Sequence, residues 1–262
     1  GNYPSSDRWS GMGFANRLKT YLQMSTTEDV SGDRVIVWPE TVLNAPEDLD
    51  EAFFVQVMKW MGSRSLRVTG GVGENEKNGS VFNSAYLISG RGRLVRYDKQ
   101  ILLPYAEAVP MIDLLGPYYR APEHFAAGNT PVCIQTPMGG IGASICLEIL
   151  YPGHIRKAAE NGAAFFVNLS NDAWFGRSAM PHLHLAAGQM RAIENRRFLL
   201  RSANSGFSAL IGPDGRIIEQ TGLFERNRVS GRFCAVDAQT LYTRYGAWLI
   251  YLAAGIVCLS AV

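Results

Sequence analysis

Cysteine is scarce in this sequence of 262 residues, and none of it is arranged for metal. Cys133, Cys146, Cys234 and Cys258 form no CxxC pair and no Cys/His ligand spacing, which argues against a zinc-stapled scaffold. If Cys146 is a free nucleophile and Cys258 lies in an apolar tail, only Cys133 and Cys234 remain as a possible disulfide, and nothing in the sequence requires one. Basic blocks are lacking too. The net charge is +2 and no lysine/arginine run stands out, so nucleic acid is not an expected partner. There is no signal peptide, and the sequence begins without Met on a loop-like Gly1-Asn2-Tyr3-Pro4, as a fragment of a longer chain would. A complete membrane span is missing as well. The apolar, uncharged stretch 247–262 counts 16 residues, short of the roughly 20 a bilayer needs. It runs to the last residue, and Trp248 and Tyr251 suit an interfacial belt, so it reads as the start of a transmembrane helix.

What is present is organised around 139–152, Gly-Gly-Ile-Gly-Ala-Ser-Ile-Cys-Leu-Glu-Ile-Leu-Tyr-Pro. The glycine-opened apolar run predicts a buried strand of a parallel sheet that ends at Cys146. Pro152-Gly153 then opens a helical pattern over 154–160. A strand-to-helix turn can present a nucleophile beside backbone N–H groups that face developing negative charge. Two other apolar strands end in one ionisable residue: 35–38 runs through Pro39 into Glu40, and 94–98 runs into Lys99. A Glu, a Lys and a Cys at the carboxyl ends of separate strands occupy the place where α/β proteins build their sites. At this length one large domain with a sizeable core is expected.

This Glu40, Lys99 and Cys146 set resembles the nitrilase, or carbon–nitrogen hydrolase, superfamily. Gly1-Asn2-Tyr3-Pro4 with Trp9, Trp38-Pro39-Glu40-Thr41, Tyr97-Asp98-Lys99, the 103–110 segment Leu-Pro-Tyr-Ala-Glu-Ala-Val-Pro, and the 170–176 run Ser-Asn-Asp-Ala-Trp-Phe-Gly are similar to the apolipoprotein N-acyltransferase family within it. The motifs follow family order from Gly1 to about Tyr245. The resemblance implies an α/β fold of α-β-β-α layers: a nitrilase-like catalytic domain over 1–245, its N-terminal strand missing, and the start of a transmembrane helix over 246–262. It implies a phospholipid acyl donor, a diacylglyceryl-cysteine lipoprotein acceptor, and a catalytic domain on the outer face of a bacterial inner membrane. No cofactor or metal is required. By the same resemblance Glu107, Glu148 and Trp9 support the site. Leu147 stands where an aromatic is usual, and Ala106 and Ala108 stand where Phe-Gly-Glu-Phe is common. These departures spare the triad and alter the pocket wall.

The chemistry fits the residue types. A thiol of ordinary pKa near 8.5 is mostly protonated at neutral pH, so Cys146 needs activation. Lys99 can stabilise the thiolate, Glu40 can take its proton, and Lys99 with a backbone N–H near Leu147 can hold the tetrahedral oxyanion. The product is a thioester acyl-enzyme that a second nucleophile opens. A small-amide hydrolase and a non-catalytic lipid- or partner-binding module are the competing readings. Glu107 could bond Lys99 or position substrate, and Glu148 could orient the Cys146 turn; each could equally be a structural salt bridge.

Elsewhere the pattern predicts helices over 11–24, 50–61 and 181–195, and strands over 66–70, 81–89, 165–169, 199–203, 208–211, 217–220 and 229–236. Gly212-Pro213-Asp214-Gly215 reads as a hairpin turn. The aromatic, proline-punctuated stretch 104–128 suits a lipid-facing lid or plain packing on the domain. Asn171 and Asp172 read as turn formers, and His182 and His184, two apart, lie on different helix faces, which argues against a shared metal.

Overall fold

A computed structural model describes residues 2–3, 11–25, 33–43, 53, 55, 57, 64–109, 125–129, 132–248, 252–253 and 256–258. Two sheets stack face to face. The first has strand order β1-β2-β3-β4, with β1 Arg34–Val37, β2 Ser65–Asn75, β3 Ser80–Ser89 and β4 Leu94–Asp98. β1 lies parallel to β2, and β2, β3 and β4 form an antiparallel meander. The β2–β3 turn closes at Gly79, whose φ of 66° falls in the left-handed region glycine enters without strain.

The second sheet has the order β10-β9-β8-β7-β6-β5. Its strands are β5 Cys133–Thr136, β6 Gly139–Ile145, β7 Ala163–Asn171, β8 Leu199–Asn204, β9 Ala209–Ile211 and β10 Ile217–Gln220. β6, β7 and β8 are parallel. The crossovers between them carry helices α2, Pro152–Glu160, and α3, Met180–Asn195, as parallel neighbours require. β7 is buried at all nine positions, because it is central in its sheet and covered on both faces. Close approach explains Gly142: a Cβ there would sit 2.6 Å from the Phe166 ring.

The core lies between the sheets, where Leu66, Val68, Ala85 and Leu87 meet Ile141, Ala143, Ile145, Phe165, Val167 and Leu169. A second cluster seats helix α1, Gly11–Ser25, on the outer face of the first sheet through Leu18, Tyr21, Leu22, Trp38 and Ile88. Phe53 and Val57, both helical and buried, join that layer. Helices thus flank both sheets in the expected α-β-β-α order. A short helix, α4, Leu241–Tyr245, packs against α2 and α3.

One expectation changes, and one open question closes. Residues 229–236 form no strand: most are exposed, and the segment meets β7 through the Val236 N–H to the Ala164 carbonyl at 3.0 Å and through the Phe233 ring, 4.9 Å from that of Phe165. Its β-prone residues find no sheet edge to pair with, and propensity without a partner does not make a strand. Cys133 and Cys234 are both free, one buried and the other exposed. Among the described residues no helix is long and apolar enough to cross a membrane.

Candidate active site

Glu40 follows β1 by way of Trp38 and Pro39. The Trp38 N–H bonds the Val68 carbonyl at 2.8 Å, and Pro39 accepts the Gly70 N–H at 3.0 Å. Gly70 makes this approach possible, since a Cβ there would lie 2.5 Å from the Glu40 Cα. Lys99 leaves β4 with its N–H bonded to the Asn83 carbonyl at 2.8 Å. Its side chain is 2% exposed, and its Nζ donates to both Glu107 oxygens at 2.8 and 2.7 Å. Glu40 Oε1 stands 3.8 Å from the same nitrogen. Asn83 ties the two carboxylates together, its Nδ2 donating to Glu40 at 2.7 Å and to Glu107 at 2.9 Å. Glu107 also accepts the Leu103 N–H at 2.8 Å across the tight turn 103–108.

Cys146 follows the last residue of β6 and begins a 3₁₀ turn, Cys146–Leu150. Its φ of 51° is left-handed, a conformation that costs a non-glycine residue on the order of 1 kcal/mol and often marks a functional turn. Glu148 fixes this turn. One of its oxygens accepts the Ile145 N–H at 2.7 Å, and the other accepts the N–H groups of Gln100 and Ile101 at 2.7 and 3.1 Å. The Tyr97 hydroxyl donates to the same carboxylate at 3.0 Å, and the His154 ring stands 3.0 Å behind that hydroxyl. Glu148 is therefore a fully buried clamp between the segment after Lys99 and the strand before Cys146.

The electrostatics follow from burial. Burial, reinforced by Glu40, pushes the Cys146 thiol up to about 12, and Lys99 offsets this only in part. Burial alone would drive the Lys99 ammonium down, but Glu40, Cys146 and Glu107 surround it and hold it above its ordinary value. Burial raises the Glu107 carboxyl, yet Lys99 outweighs that and holds it below the usual range. The arrangement is a permanent ammonium between two carboxylates, with a protonated thiol in its field.

Beneath the thiol lies a second polar group the sequence reading did not foresee. Asp172 is fully buried; Arg201 bonds its Oδ2 at 2.9 Å, and Oδ1 accepts the Ser170 hydroxyl at 2.7 Å and faces His184 Nδ1 at 3.2 Å. Burial would raise this carboxyl, but Arg201, His184 and Ser170 outweigh it and bring it down to about 2. Asp172 is thus an ionised buried group, which corrects its reading as a turn former. Asn171 does form the turn, its side chain accepting the Ala173 N–H. Arg201 also bonds the Asn168 side-chain oxygen, and Asn168 Nδ2 reaches Ser144 Oγ at 3.0 Å and the Cys146 carbonyl at 3.4 Å. Ligand atoms of Cys146, Asp172 and His184 lie within 4.8 Å of one another. Both Asp172 oxygens are already engaged and the Arg201 charge adjoins them, so this donor set is a poor fit for a cation.

Leu147 is partly buried against the core. Trp9 and the lid segment 110–124 lie outside the described residues; Tyr105, at the turn before it, is half exposed. A separate cavity of about 310 Å³ opens between β1 and β8, bordered by Tyr21, Trp38, Pro39, Leu200, Arg201 and Phe233. It reaches Pro39 and none of Glu40, Lys99 or Cys146. Asn83, Ser170, Asp172, His184 and Arg201 were the residues missed. An asparagine inside the apolar run of β3 and an arginine inside that of β8 were the available signals, because a buried polar group needs a partner.

The carbon-nitrogen hydrolase family profile matches residues 13–240. An apolipoprotein N-acyltransferase of Haemophilus ducreyi is 30% identical over 93% of this chain and 50% of its own length. The Geobacter metallireducens protein of the same name is 32% identical over 100% of the chain and 52% of its own. The chain thus spans about half the length of the curated relatives it matches. Among solved structures, a Saccharomyces cerevisiae nitrilase-superfamily member superposes with a TM-score of 0.63 at 16% identity, over 80% of this chain and 81% of that one. A Helicobacter pylori carbon-nitrogen hydrolase gives 0.59 at 18% identity, over 84% and 82%. These likenesses establish the shared fold.

Proposed function

Because the chain belongs to the carbon-nitrogen hydrolase family, we propose that it moves a fatty acyl chain from a phospholipid, through a Cys146 thioester, to the N-terminal amine of a diacylglyceryl-cysteine lipoprotein. The relatives named apolipoprotein N-acyltransferase support that direction of chemistry. The observation that carries it is the buried Lys99 ammonium, held by Glu107 at 2.7 Å beside Glu40 and within the field of the Cys146 thiol.

With the thiol pushed up to about 12, the free thiolate is on the order of one part in 10⁵ at pH 7. The proton therefore leaves as the carbon–sulfur bond forms, and Glu40 is the carboxylate placed to accept it. Lys99 stays charged throughout: it cannot serve as a base, and it stabilises the oxyanion together with the N–H groups that open the 146–150 turn. Collapse expels the lysophospholipid alkoxide, which takes the proton back from Glu40. In the second half, the acceptor amine attacks the thioester, Glu40 removes its proton, and the departing thiolate is reprotonated. Glu107 touches no reacting atom. It fixes the ammonium, and Asn83 spaces the two carboxylates.

We place the domain 1–245 on the outer face of a bacterial inner membrane, with 246–262 beginning a span. The uncharged tail and the apolar turn with Leu102, Leu103 and half-exposed Tyr105 support this placement. Trp9 and Leu147 then belong to the substrate wall. The test uses the full-length protein in detergent with a phospholipid and a diacylated lipopeptide. N-acylated lipopeptide should form and vanish in Cys146→Ala. Hydrolysis of small amides with no lipopeptide acylation would instead make the protein an amidase.

A further inference from the structure

A row of three polar side chains crosses the second sheet at the foot of the Cys146 turn. Ser144 of β6 stands in register with Asn168 of β7, and Asn168 with Arg201 of β8; all three are buried. Every nitrogen of the Arg201 guanidinium has a partner. Nε donates to the Phe207 carbonyl at 3.2 Å, one terminal nitrogen to Asp172 Oδ2 at 2.9 Å, and the other to the Asn168 side-chain oxygen. A guanidinium only donates, so it dictates which end of the Asn168 amide faces it. The oxygen turns to Arg201, and the NH₂ is left pointing at β6. There it meets Ser144 Oγ at 3.0 Å and the carbonyls of Ser144 and Cys146 at 3.4 Å each. The two longer contacts are those of two N–H groups shared among three acceptors.

The Cys146 carbonyl shares a peptide plane with the Leu147 N–H, and in a trans peptide the two point in opposite directions. Leu147 lies at the start of the 3₁₀ turn 146–150, where the first N–H groups have no carbonyl within the turn to bond. We propose that Asn168, set by Arg201, is a positioning residue: it holds the Cys146 carbonyl inward and so aims the Leu147 N–H at the oxyanion of the acyl group on sulfur. The inference rests on the reading of Cys146 as the nucleophile. It gives the left-handed Cys146, at φ 51°, a restraint on each side. Glu148 fixes the Ile145 N–H before it at 2.7 Å, and Asn168 holds the carbonyl after it. Asp172 anchors the far end of the row, its other oxygen held by Ser170 at 2.7 Å and by His184 Nδ1 at 3.2 Å.

Two reactions at the same sulfur separate this role from a general effect on the thiol. Acylation by a p-nitrophenyl ester passes through a tetrahedral oxyanion, whereas alkylation by iodoacetamide displaces iodide and forms none. Asn168→Leu keeps the size of the side chain and removes the amide. Arg201→Lys keeps the charge beside Asp172 but lacks the fork that also engages Asn168, so the amide is free to turn. Neither variant alters the charge around the sulfur. With full-length protein in detergent, the p-nitrophenol burst should fall roughly 10- to 100-fold in Asn168→Leu and about tenfold in Arg201→Lys. Alkylation of Cys146, read by peptide mass spectrometry, should stay within about threefold of wild type in both. Both rates falling together, or neither changing, overturns the proposal, because the row would then act on the thiol itself or on nothing. Loss of the folded state in both variants, seen by thermal unfolding, overturns it too, because the row would then be a stability element. The ester needs no lipopeptide, so the two readings part. A wild-type Cys146 that takes an acyl group from the ester but never passes one to lipopeptide sinks the proposed function and leaves the paired rates to decide on Asn168. A wild-type Cys146 that the ester does not acylate overturns both.

Discussion

Replacing Glu148 by glutamine keeps the shape of the side chain and removes only its second acceptor. In the structure one oxygen serves Gln100 N–H at 2.7 Å and Ile101 N–H at 3.1 Å, while the other serves Ile145 N–H at 2.7 Å. An amide turned to satisfy Gln100 and Ile101 places its NH₂ against the Ile145 N–H, two donors face to face with no water at a position that is 0% exposed. One charge-assisted bond is lost, about 1.5–3 kcal/mol, and one buried N–H is orphaned, about 1–3 kcal/mol. The sum is about 2.5–6 kcal/mol, which brackets the cost of breaking a buried charged network. In a domain of this size each kcal/mol moves the midpoint by about 2–4 °C, so thermal unfolding should fall by about 10 °C. Tyr97→Phe, which removes one hydroxyl from the same carboxylate, should cost about 1 kcal/mol. Differential scanning fluorimetry of the purified protein supplies both numbers. A Glu148→Gln midpoint within about 2 °C of wild type would refute the clamp, because it would mean the carboxylate charge does nothing there.

Gly70→Ala should act on catalysis through the backbone. The new Cβ would lie 2.5 Å from Glu40 Cα and 2.6 Å from Thr41 N, so the turn that carries Glu40 must move, and a displacement of about 1 Å can cost about 10²-fold in kcat; an unchanged kcat would contradict the placement of the base. Asp172 sets an acid limit on stability. Its folded value of about 2 lies below the ordinary 3.8, so its contribution, about 2 kcal/mol, is complete above the ordinary value and is lost as pH falls through about 2. Denaturant titrations between about pH 5 and pH 2 should show that loss in wild type and its absence in Asp172→Asn.

The parallel strands β1 and β6 were legible because their apolar runs are bounded by proline or glycine, which places Glu40 and Cys146 at their ends; Lys99 was legible because it follows the antiparallel β4 directly. The 229–236 segment has the same β-prone residues, but a strand also needs an edge, and no sequence window contains its partner. The clamp made by Glu148 was half visible: its position after Cys146 suggested orientation of the turn, while its bonds to Gln100 and Ile101 join segments 47 to 48 residues apart. Asp172 was misread for a related reason. In sequence an Asn-Asp pair before Ala-Trp-Phe-Gly is a turn signal, and only the arrival of Arg201 and His184 from β8 and α3 turns one member of the pair into a buried ionised group. Asn83 shows the same limit, since its worth lies in the two carboxylates it separates.

The central claim is that Cys146 carries the acyl chain. Full-length protein incubated with phospholipid alone, digested and analysed by mass spectrometry without reducing agents, should show one acyl group on the peptide that contains Cys146. Addition of a diacylated lipopeptide should discharge it. Cys146→Ala should remain unmodified and keep its fold, since the substitution removes little volume. An acyl group on Cys133 or Cys234, or none on a protein that still acylates lipopeptide, would contradict the account.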